Sequence, residues 1–134
     1  MAAQGRKNVH GKAGVRFKAP YTASKKKSML RNVVTELIVH ESVTVTSGVV
    51  KDLKSLADRL VTYAKKGDLH HRRLAASVVR NYYVDADKKV TALDKLFDEL
   101  AKRYKDRNGG YKRAIKMVAR KGDNAKLAQV EFVR

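Results

Sequence analysis

The chain has 134 residues, 43% of them hydrophobic, so it is long enough for one modest core and apolar enough to fold around it. Its formal net charge of +18 repels itself in any compact state and calls for an anionic partner, nucleic acid before anionic membrane. Cysteine is absent, which excludes disulfides, thiolate metal sites and cysteine nucleophiles, and no apolar run approaches the ~18 residues of a membrane span.

The first twenty residues form a basic extension closed by Pro20, the only proline. No Asp or Glu precedes Glu36, whereas Arg6, Lys7, Lys12, Arg16, Lys18, Lys25, Lys26, Lys27 and Arg31 all do. Such a composition cannot offset its ordering entropy by burying apolar surface, so residues 1–20 are expected to stay extended and loose until phosphates neutralise them. A solubilising tail is the bland reading. A transit peptide would carry an amphipathic helical stripe, which this segment lacks, and a secretory leader would carry an apolar h-region. An intracellular, cytoplasmic protein is expected.

Residues 21–134 read as one folded domain. Thr22 or Ser24 can cap a helix running to about His40, with Leu30, Val33, Val34, Leu37 and Ile38 at helical spacing. Ser42 to Thr46 alternates valine and threonine as a short strand. Ser47 is placed to cap a second helix through Lys66, ended by Gly67, and Asp68 to cap a third from Leu69 to about Asn81. A loop through Val84-Asp85-Ala86-Asp87 follows. Thr91 and Asp94 have the spacing of a capping box for a fourth helix striped by Leu93, Leu96, Phe97, Leu100 and Tyr104.

After the loop signal Asn108-Gly109-Gly110, Tyr111 to Ala119 reads as a strand. Its odd side carries Tyr111, Ile115, Met117 and Ala119, interrupted by Arg113; its even side carries Lys112, Lys116 and Arg120. Lys121-Gly122-Asp123-Asn124 supplies turn chemistry, and Lys126 to Val133 alternates again with Ala128, Val130 and Phe132 on one face. The order helix, strand, three helices, two strands predicts a two-layer α+β fold: a short mixed sheet covered on one face by helices.

No constellation carries catalysis, and no cofactor is implied. His70 and His71 cannot share a metal from a regular helix, since adjacent side chains diverge by ~100°. Arg72 and Arg73 beside them suit phosphate recognition, because a guanidinium donates as a planar fork. Asp85 and Asp87 lack the oxygen-ligand pattern of a calcium loop. Gly109-Gly110 lacks the lysine-serine or lysine-threonine pair of a nucleotide-binding loop. Tyr82, Tyr83 and Tyr111 could each stack on a base or pack in the core. Aromatic content is only 7%, so recognition is expected to run through phosphates, 2′-hydroxyls and the shape of folded RNA.

An ordered set of residues from about Lys25 to Val133 resembles the seventeenth protein of the bacterial large ribosomal subunit. It comprises Met29-x-Arg31-Asn32, Arg72-Arg73-x-Ala75, Ala92-Leu93-x-Lys95-Leu96-Phe97 with Tyr104, Gly109-Gly110-Tyr111, Arg113, Ile115-Lys116, and Arg120-x-Gly122-Asp123-Asn124-Ala125. The N-terminal segment is looser than that family's, and Lys25-Lys26-Lys27 stands where it carries a histidine-arginine pair, so contacts there transfer by charge alone. The resemblance implies the same α+β architecture and a structural constituent of the large subunit that binds ribosomal RNA. It also implies a place near the polypeptide exit tunnel, with neighbouring ribosomal proteins as contacts. The expected RNA contacts are Arg6, Lys7, Lys12, Arg16, Lys18, Lys25, Lys26, Lys27, Arg31, Asn32, Arg72, Arg73, Lys112, Arg113, Lys116, Arg120 and Lys121. The competing reading is a DNA-compacting protein using the same charge, though no recognition helix or minor-groove arm stands out.

Overall fold

Helix α1 (Ala23–His40) begins where the Thr22 side chain accepts the Lys25 amide, and ends where Glu41 turns left-handed at φ 63° and its N–H closes onto the Leu37 carbonyl. The computed structural model describes residues 22–134, so the basic extension lies outside the described residues. The α1 stripe buries Val34, Leu37 and Ile38. Strand β1 (Ser42–Thr46) follows at once. Ser47 does not cap the next helix. A turn closed by the Val49 amide on the Thr46 carbonyl (3.0 Å) carries the chain one step further, and α2 (Val50–Lys66) starts with no side-chain cap. Gly67 ends it in the left-handed region that glycine occupies without steric cost.

Asp68 caps α3 (Leu69–Ala76), which stops short of the expected Asn81. The reason is local: Ser77 Oγ bonds the Leu74 carbonyl (2.6 Å), and the Arg80 amide is drawn to Thr35 Oγ1 on α1 (2.9 Å) instead of continuing a helical ladder. Where a plain loop was expected, β2 (Tyr83–Asp85) and β3 (Val90–Thr91) form a small antiparallel ladder. The Thr91–Asp94 capping box is present and opens α4 (Ala92–Lys95). That helix runs without a break into a π-helical turn (Leu96–Leu100) and a last α turn, α5 (Ala101–Arg103).

Strands β4 (Lys112–Lys116) and β5 (Leu127–Phe132) close the fold. The main sheet has the order β1-β5-β4 and is antiparallel throughout, where a mixed sheet was expected. Val43 and Ala114 both lie opposite Val130, so Val43, Val45, Ala128, Val130 and Phe132 share the face turned to the helices. Burial on β5 alternates strictly, as its sequence does. Leu53, Leu60, Leu96 and Leu100 fill the space beneath, and Tyr104 donates its hydroxyl to the Val133 carbonyl (2.5 Å), fastening the end of β5 to the helical layer. The result is the two-layer α+β arrangement that the hydrophobic periodicities predict.

Candidate nucleic-acid interface

The terminal hairpin leaves the body as it is traced outward. Tyr111 and Lys112 are buried, but Arg113 through Val118 are all exposed, Val118 at 89%. The register explains which side faces where. Lys112 opposite Phe132 and Ala114 opposite Val130 put the even residues of β4 on the helix-facing side. Its apolar odd residues, Ile115 and Met117, therefore lie on the outer face of the sheet, with Arg113 paired to Glu131 beside them.

At the tip, the Met117 amide bonds the Leu127 carbonyl (3.0 Å), the Arg120 amide bonds Ala125 (2.9 Å), and the Asn124 amide returns to Arg120 (3.0 Å). Gly122 holds φ 103°, the positive value its turn position calls for. Asp123 accepts two bonds from the Arg120 guanidinium (3.1 and 2.6 Å) and one from the Ala125 amide (3.2 Å). The Arg120 bonds, seconded by that amide, hold its carboxyl down to about 2. Arg120 is thus fixed in direction, while Lys116, Lys121 and Lys126 extend from the same hairpin as exposed ammonium groups with no ion pair among the described residues. Lys126 was not singled out from the sequence; its place in the turn that holds Arg120 and Lys121 is the signal that could have found it.

Lys112 is a correction. Expected among the basic contacts, it is enclosed against Asp58, and burial, with Lys54 close by, pulls its ammonium down to about 8. Its charge is spent inside the protein because the register turns it inward.

On α1, Lys25 and Lys27 are exposed, but three neighbours are engaged internally. Lys26 pairs with Asp52 (3.2 Å), Arg31 Nε donates to the Val78 carbonyl (3.1 Å), and Asn32 accepts from Arg80 Nε (3.0 Å). On α3, Arg73 is exposed, while Arg72 reaches Asp94 (2.6 Å) and lies over the Phe97 ring at 5.1 Å. Of the three tyrosines left open by the sequence, Tyr111 packs in the core with its ring centroid 5.2 Å from that of Tyr104. Tyr82 and Tyr83 are exposed.

A second charged cluster is structural. Glu41 accepts two bonds from Arg103 (2.8 and 3.1 Å) and lies 3.2 Å from Lys95, whose ammonium also donates to the Val39 carbonyl (2.9 Å). The Arg103 fork, opposed by burial and helped by Lys95, holds the Glu41 carboxyl down to about 2. This cluster pins the α1–β1 corner to α4 and α5.

Among the described residues no three His, Asp or Glu side chains gather as a metal site, and no helix is long and apolar enough to cross a membrane. A helix-covered antiparallel sheet with a projecting basic hairpin defines the class, a small basic α+β protein.

The sequence comparisons make that class specific. The family described as ribosomal protein L17 matches residues 29–133. A large ribosomal subunit protein bL17 of Mycoplasma capricolum is 50% identical over 106 residues, covering 79% of this chain and 87% of the relative. Its counterpart in Shouchella clausii is 42% identical over 112 residues, covering 84% and 93%, and that of Streptococcus gordonii is 45% identical over 120 residues, covering 84% and 94%. The chain belongs to the ribosomal protein L17 family, a bacterial family of structural components of the large ribosomal subunit.

Proposed function

We propose that this protein binds and stabilises folded ribosomal RNA in the large subunit, working in the cytoplasm as part of the ribosome. The observation that carries the reading is the terminal hairpin: three ammonium groups, Lys116, Lys121 and Lys126, stand exposed around a turn whose arginine is already fixed, with no ion pair among the described residues. An exposed cluster of like charge is useful where phosphates neutralise it. Lys25, Lys27 and Arg73 supply further exposed cations, and the basic residues Arg6, Lys7, Lys12, Arg16 and Lys18 of the N-terminal extension add to them. Arg113 and Arg120 already meet carboxylates and would exchange or share them with phosphates. Family resemblance supports a place near the polypeptide exit tunnel, beside other large-subunit proteins.

Binding of the isolated protein to large-subunit RNA, measured against salt, tests this. With six to ten phosphate contacts, affinity falls on the order of 10³- to 10⁵-fold between 50 and 200 mM salt for duplex DNA, and somewhat less for RNA. A nearly flat dependence would overturn the electrostatic reading. Crosslinking in intact subunits, with the RNA sites mapped, identifies the helices contacted and tests the position near the tunnel.

A further inference from the structure

A groove of about 640 Å³ runs between α1, α2 and the end of α3, away from the terminal hairpin. Its floor is aliphatic, made by Leu30, Leu56, Leu74 and Val78. Leu74 is 37% exposed, and the other three are only partly covered by the core they border. Its rim is basic. Lys26 and Arg31 are engaged by Asp52 and the Val78 carbonyl, but Lys27 and Arg59 are exposed and make no ion pair among the described residues. We propose that this groove docks an acidic, amphipathic segment of a neighbouring large-subunit protein, its apolar side chains on the leucine floor and its carboxylates at Lys27 and Arg59. The proposal rests on the ribosomal reading above.

Charge and shape select this occupant over the others. A second copy of the chain carries +18 and would be repelled. The chain's own N-terminal extension has no acidic residue before Glu36 and would meet the same repulsion. An RNA strand satisfies the rim, where the Arg59 guanidinium offers a plane, but not the floor, whose aliphatic side chains offer bases nothing to stack on. Tyr63, the one ring in the wall among the described residues, already lies against His71, with centroids 5.5 Å apart. Aliphatic side chains, by contrast, are matched by aliphatic side chains. Three helices enclosing an apolar trough with a charged rim present the geometry in which an amphipathic helix lays down its apolar face.

The test uses the full chain with a photoreactive benzophenone amino acid at Ser55, inside the groove, incorporated into large ribosomal subunits in cells. Subunits are purified and irradiated, and the adducts are sequenced. The expected adduct is a peptide of another subunit protein with apolar residues at helical spacing and at least two Asp or Glu. Arg59→Glu, at a groove residue outside the proposed RNA contacts, should lower its yield about tenfold without releasing the protein from the subunit, since like charges across an interface are strongly disfavoured. An adduct to ribosomal RNA, to residues 1–21, or to a basic segment overturns the proposal, as does no adduct from Ser55 or from a second probe at Ser77. Subunits that lack the unsubstituted protein altogether would overturn the ribosomal reading itself, an outcome separate from every adduct result.

Discussion

The two strands of the terminal hairpin, β4 rich in basic residues and β5 without one, differ also in fate. β5 buries Ala128, Val130 and Phe132 in strict alternation, whereas β4 buries its first residue and then exposes Arg113, Ala114, Ile115 and Lys116 in succession. Both carry apolar side chains. What separates them is position: β5 lies between β1 and β4 beneath the helices, while β4 is an edge that outruns its cover. Hydrophobic residues are enclosed where a second layer exists to receive them, and the remainder of an apolar strand becomes surface.

The largest effect that would break this contrast is in the core. Phe132→Ala should cost about 3–5 kcal/mol in chemical denaturation, while Ile115→Ala, 44% exposed, should change stability by no more than about 0.5 kcal/mol. Similar losses for the two would show that the hairpin is covered along its whole length.

Next in size is the cluster that pins the α1–β1 corner to α4 and α5. Glu41→Gln leaves Lys95 without its carboxylate and Arg103 with Glu99 alone, and should cost about 2–3 kcal/mol near neutral pH. Its pH dependence has a definite sign. The folded carboxyl titrates at about 2, below its ordinary 4.5, so its contribution is complete above pH 4.5 and is lost as pH falls towards 2. The difference between parent and variant should therefore close over that window, and a difference still intact at pH 2 would remove Glu41 as its source.

Gly122→Ala comes third, at about 1 kcal/mol. No atom lies within 4 Å of the added methyl group, so the cost is conformational, from φ 103°. An unchanged melting temperature would mean that the turn relaxes freely.

The smallest effect on stability is expected from Lys116→Gln, Lys121→Gln and Lys126→Gln combined, which should leave the circular dichroism melt unchanged. The same variant should lower the slope of log affinity against log salt by about two to three for ribosomal RNA, roughly 0.7–0.9 for each phosphate that a lysine no longer neutralises. An unaltered slope would take the exposed strand out of the RNA interface.

Local chemistry was the most legible part of this chain. Asp68 and the Thr91–Asp94 pair cap the helices they were expected to cap, Thr22 is the one of two candidates that caps the first, and Gly67 and Gly122 take positive φ, because each acts within a few residues of itself. What stayed hidden depends on pairing between distant segments. Lys112 reads as a surface cation until the register against Phe132 turns it toward Asp58. Lys26 and Arg31 read as free charges until α2 and the end of α3 supply Asp52 and the Val78 carbonyl. Two residues of β3 are too few to show a period, so the small ladder could not be distinguished from a loop. Ser47 failed as a cap because the turn after β1 advanced the helix start past it.

The middle strand of the sheet is also the final element in chain order. β1 emerges early in synthesis yet finds its neighbour only when residues 127–131 appear, and β4 likewise waits for the strand that follows it. Helices can form as they emerge, but the sheet closes in a single late event that joins the two ends of the domain. Its speed is limited by bringing those ends together, and until then both outer strands lack the neighbour that pairs with them. For a chain this basic, in a cell full of RNA, that interval is when an incorrect partner is most easily acquired.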